Sequence, residues 1–153
     1  MKTGNTSEED VGGAMTSRGP AEASVTSEMT VTRTDGAAVM AAAVLLLEAA
    51  ADRSLSLLAA GPASGLEDSF ALSDLGLGAR LAAGHARSLL PADVGLDDVP
   101  LAGSCSRQDD PIELVQAAEA LTRTVPIEAL PAGSSRLVVA LCDLLREHAD
   151  ARP

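Results

Sequence analysis

Tryptophan and tyrosine are absent from this chain, and Phe70 is its only aromatic residue. A core without rings must be filled by aliphatic side chains, and alanine and leucine dominate the 46% of residues that are apolar. These two are the strongest apolar helix formers, whereas strands favour β-branched and aromatic residues. Strand-based folds are therefore disfavoured from the start. Lysine is almost missing as well: Lys2 stands alone beside ten arginines, a usage expected of a GC-rich bacterial genome.

Positive charge is scarce overall. Against 22 acidic residues there are 11 basic ones, for a formal net charge of −11. Such a field repels phosphate backbones and anionic membrane surfaces, so neither nucleic acid nor a membrane is an expected partner. The longest uninterrupted apolar run, Ala37 to Leu47, ends at Glu48 and falls far short of the ~20 residues a membrane span requires. Glu8, Glu9 and Asp10 occupy the place where a signal peptide has its apolar stretch. Cys105 and Cys142 are too few for a disulfide framework, and no C-x-x-C or Cys/His cluster suggests zinc. A reducing, cytoplasmic setting is expected, with no cofactor and no metal.

What is present is organised in helical periods. Residues 1–28 are rich in Ser, Thr, Gly and Glu with few large apolar side chains, so a disordered acidic tail is expected there. A single helical domain is expected over 29–153, and Met29 could itself be the translation start. Within it, Asp35 reads as the N-cap of a first helix running to about Ala60, with Gly61-Pro62 as the stop. Val39, Ala43, Leu46, Ala50, Ser54, Leu57 and Leu58 mark one face, which Met40, Val44, Leu47, Ala51 and Leu55 widen. Ser64 and Glu67 form a capping-box pattern ahead of a second helical region to about Leu90. Its apolar face reads Leu72, Leu75, Ala79, Ala82, Ala86 and Leu89, with a kink or break expected at Gly76 and Gly78.

Residues 91–108 carry Pro91, Gly95, Pro100 and Gly103 and no periodicity. Asp110, Pro111 and Glu113 then supply an N-cap, an N1 proline and an N3 carboxylate for a third helix stopped by Pro126. Leu114, Ala118, Leu121 and Val125 are its expected buried stripe. Gly133-Ser134 opens the last helix, with Leu137, Val138, Leu141, Cys142, Leu144 and Leu145 facing a core. The fold expected is all-α, a small bundle of about four helices behind the N-terminal tail.

Residues able to carry chemistry are few. His85 lies at the edge of an apolar face near Arg80 and Arg87, and these three are the candidate lining of a pocket between helices. His148 sits in the last turn of the last helix, where the helix dipole favours imidazolium. Cys105 stands in a Gly-Ser-Cys-Ser-Arg loop, where an arginine could activate a thiol. Asp93, Asp97, Asp98, Asp109 and Asp110 flank that loop without the spacing of a calcium site. Gly76-Leu77-Gly78 completes only half of a dinucleotide fingerprint, and no phosphate-binding or nucleophile-elbow motif occurs.

The function these absences favour is non-enzymatic: a helical protein acting through another protein or through itself, a homodimer included. A small accessory enzyme or ligand-binding protein with a pocket between helices is the alternative, and a transcriptional regulator acting through a partner is a third. Leu45 is the candidate contact residue. It follows Ala38 and Ala41 on a stripe that turns into Glu48 and Asp52, and a lone bundle would leave that stripe exposed.

Overall fold

The computed structural model describes residues 21–61, 65–97, 99 and 110–149, with side chains of the first helix from Asp35 onward. Four helices make up the fold: α1 (Ala21–Ala59), α2 (Leu66–Leu89), α3 (Pro111–Thr122) and α4 (Ser134–Ala149). A short 3-10 turn over Ile127–Ala129 joins the last two, and the described residues contain no strand.

Three of the expected boundaries match closely. Gly61, at φ +95°, closes α1 in the left-handed conformation that glycine adopts without strain. Asp110 accepts a hydrogen bond from the Ile112 backbone N–H at 2.9 Å, and Pro111 takes the first turn of α3. Gly133, also at positive φ, leads into α4 at Ser134, whose hydroxyl donates to the Pro131 carbonyl.

Two boundaries differ, and glycine explains both. Helix α1 begins at Ala21, so Asp35 lies inside it and is not its cap. Gly36, next to Asp35, is a contact point. A Cβ there would collide with the Ala129 carbonyl, because the 3-10 turn rests on the helix backbone. Residues 1–20 of the expected tail lie outside the described residues. In α2, Gly76 and Gly78 do not break the helix, which is continuous over 24 residues. A Cβ on Gly76 would come within 2.9 Å of the Ser54 Cβ on α1. One on Gly78 would come within 2.5 Å of the Leu144 Cδ1 on α4. These glycines let the helix axes approach.

Packing follows a square. Helix α1 lies against α2 and α3, and α4 lies against α2 and α3 on the far side. Helices α1 and α2 are antiparallel, since Glu48 reaches Arg87 while Asp52 reaches Arg80. Helix α4 is antiparallel to α2, with Gly78 facing Leu144 and Asp74 near His148. Helix α3 leads into the turn that covers Gly36, so it ends where α2 also ends. Helices α2 and α3 therefore run the same way across a diagonal. Met40, Val44, Leu47, Val115, Leu137 and Leu141 form the centre of the core, fully buried.

Candidate functional site

The residues proposed as a pocket lining do not converge. Arg80 donates to Asp52 at 2.7 Å and Arg87 to Glu48 at 2.7 Å, so both guanidinium groups are turned toward α1. His85 is five residues from one arginine and two from the other, which sets it 140° to 160° away around the helix. It is half-buried on the other flank of α2. Cys105, Asp98 and Asp109 lie outside the described residues, while Asp93 and Asp97 are exposed in the turns after α2. Among the described residues, no group of three or more His, Cys, Asp or Glu side chains could hold a metal ion.

Sequence reading missed one buried polar cluster. Glu119 is buried between α3 and α4, where it accepts from Arg123 Nε at 2.5 Å and from the Cys142 thiol at 3.7 Å. The hydrogen bond to Glu119 raises the pKa of Arg123 above the usual arginine value, as does its charge. The thiol contact links α4 to α3. Cys142 is therefore half-buried and tied to α3, in addition to packing as a small hydrophobe. His148 is buried as well, its Nε2 3.8 Å from Asp74 Oδ2 and without a hydrogen bond. It stands four residues after Leu144 and seven after Leu141, on the buried stripe, and this spacing was the signal that could have placed it.

One hollow opens at the end of the bundle where α2 finishes and α4 begins. It is lined by Ala37, Leu89, Leu90, Leu130 and Pro131, with Glu128 as its one ionisable group. It offers apolar surface but no set of polar groups that would orient a substrate.

The distinctive surface lies on the outer side of α2. Leu66, Phe70, Leu77 and Leu81 are 77%, 72%, 59% and 66% exposed, and all four fall within a 60° sector of the helix. Gly84 and Ser88 share the sector, Ser73 widens it to about 80°, and all three are exposed, so no charge interrupts it. The buried face, made of Leu75, Gly76, Ala79, Ala82, Ala83 and Ala86, is diametrically opposite. Across the Arg80–Asp52 and Arg87–Glu48 ion pairs, α1 adds Leu55, which is exposed, and Leu45, which is half-buried. The stripe expected to be open around Leu45 is only partly so, because Ala41 is fully buried while Ala38 is exposed.

No described helix is long and apolar enough to cross a membrane. No protein-family model, curated protein or solved structure matches the chain.

Proposed function

We propose that this chain is a non-enzymatic helical protein that works by protein–protein contact through the outer face of α2. The observation that carries this reading is the uncharged stripe of Leu66, Phe70, Leu77 and Leu81, each well over half exposed. Single exposed leucines are common on soluble proteins, but contiguous apolar patches mark interaction surfaces. Helix-on-helix recognition uses anchors spaced by three, four and seven residues, and these four side chains have that spacing. On α1, Leu45 and Leu55 share a stripe with the paired carboxylates Glu48 and Asp52.

The same reading sets the partners. An apolar stripe on a chain of net charge −11 suits a protein surface, not a nucleic acid. A reducing, cytoplasmic location agrees with the scarcity of cysteine. The test is a Phe70→Ser, Leu77→Ser double variant. Association, with itself or with a partner co-purified from the source cells, should fall at least tenfold while the helical circular-dichroism signal is unchanged. Association equal to wild type would overturn the assignment of this face.

A further inference from the structure

The stripe on α2 has an order of its own. Leu66, Phe70, Ser73, Leu77, Leu81, Gly84 and Ser88 are spaced 4, 3, 4, 4, 3 and 4 residues apart, a series that reads the same from either end about Leu77. The sizes run the other way. Large side chains, Leu66 and Phe70, stand at the start of the helix, and small ones, Gly84 and Ser88, at its end. The repeat averages about 3.7 residues, so the stripe stays on one face of a nearly straight helix.

A second observation concerns Gly84 alone. Glycine inside a helix is unfavourable relative to alanine. Gly36, Gly76 and Gly78 each have a neighbour that explains the missing side chain, whereas a Cβ on Gly84 would meet nothing within 4 Å. Nothing within the described chain requires a glycine there.

We infer that the occupant of this face is a second copy of the chain, its α2 packed antiparallel on the first about a two-fold axis at Leu77. The inference rests on the proposed role of the α2 face. In this register Leu77 meets Leu77, Phe70 lies over Gly84 of the second copy, Leu66 over Ser88, and Leu81 over Ser73. On either side of the Leu77 axis each large side chain faces a small one, as interdigitated packing demands. A parallel pair would set Phe70 on Phe70 and leave a gap between the two Gly84 positions.

One polar pairing fits the antiparallel register as well. Glu67 and His85 are five turns apart on the same flank, so Glu67 of each copy comes beside His85 of the other. On the opposite flank the arginines are already neutralised by Asp52 and Glu48. The contact strip is about 36 Å long and one helix wide, less than the ~1,200 Å² of a standard stable interface. The pair is consequently an exchanging dimer, strengthened by salt because screening reduces the repulsion between two chains of charge −11.

Site-directed disulfide formation reads the register directly. In a Cys105→Ser, Cys142→Ser background, Leu77→Cys should oxidise to a covalent dimer. Phe70→Cys mixed with Gly84→Cys should give the crossed dimer. Leu66→Cys should not link to itself, because its two copies would stand ~33 Å apart. Equal cross-linking of Leu66→Cys and Leu77→Cys would overturn the antiparallel register. A wild-type protein that sediments as a monomer at about millimolar concentration would overturn self-association altogether. If that monomer still loses a purified partner on Phe70→Ser, Leu77→Ser substitution, the interaction face stands and only its occupant is wrong. If neither self-association nor partner binding responds to the double variant, both readings fail.

Discussion

The two faces of α2 invert the usual arrangement of size. The face toward α1 and α4 carries four alanines, a glycine and one leucine, whereas the face toward solvent carries three leucines and the only phenylalanine in the chain. Small residues on the inner face let three helices lie close together, and the bulk that a core would normally take is left outside. Apolar content alone therefore does not identify a core. What separates the two faces is whether the small residues have neighbours: Gly76 and Gly78 do, and Gly84 does not.

The sharpest way to break this comparison is to truncate one leucine on each face. Leu75 is 2% exposed and Leu77 is 59% exposed, two residues apart on the same helix. Leu75→Ala should cost about 2–4 kcal/mol, the range for a buried leucine that leaves a cavity. Leu77→Ala in the dilute protein should stay within about 0.5 kcal/mol of wild type. Urea denaturation of both variants checks the contrast, and equal losses would mean that the outer face is covered in the free protein.

A second contrast sets Gly36 against Gly84. A methyl group at Gly36 meets the carbonyl of Ala129, a backbone atom that cannot swing aside. Gly36→Ala should therefore destabilise by about 1–3 kcal/mol, the usual cost of overpacking, despite the better helix propensity of alanine. Gly84→Ala adds its methyl group to open space and should stabilise the monomer by up to ~1 kcal/mol. The same substitution should weaken the dimer if Phe70 of a second copy occupies that space. Thermal melts at low concentration and sedimentation at high concentration separate the two effects.

These contrasts also show what the sequence could and could not convey. The four helices were legible because each rule that marked them is local: Gly61 beyond the end of α1, Asp110-Pro111 ahead of α3, Gly133 ahead of α4. The core positions Ala43, Leu46, Ala50, Leu75, Ala79, Leu137 and Leu141 followed from helical period alone. The glycines of α2 were misread, since a local rule counts Gly76 and Gly78 as breaks while their reason is a neighbour on another helix. His85, Arg80 and Arg87 are near in sequence, but the period of the helix turns them apart, and Asp52 and Glu48 claim the arginines from another helix. Helical period placed the inner face of α2 at Leu75, Ala79, Ala82 and Ala86, whereas the outer stripe of Leu66, Phe70, Leu77 and Leu81 went unread because its spacing adds nothing to the core pattern. Glu119 was hidden by its charge, although it lies one turn from both Val115 and Thr122 on the buried face of α3.

The smallest effect concerns the ion pairs that separate the apolar lanes of α1 and α2. Arg80 and Asp52 are linked at 2.7 Å, but their side chains are 55% and 71% exposed. Water screens such a pair, and ordering two mobile side chains offsets much of the attraction. A double-mutant cycle with Arg80→Met and Asp52→Asn should therefore return a coupling below about 1 kcal/mol, reduced further in salt. Arg87 and Glu48 should behave alike, with a somewhat larger value because Glu48 is less exposed. The pairs matter more for what they exclude. With both arginines turned to α1, the outer stripe of α2 meets a neutralised border, and removing Asp52 frees Arg80 beside it. Asp52→Asn should thus leave the melting temperature within a few degrees of wild type and weaken self-association, because unpaired arginines then face each other along one flank of the dimer. Sedimentation of the single variant measures this. An Asp52→Asn protein that associates as tightly as wild type would show that the border carries no weight in the contact.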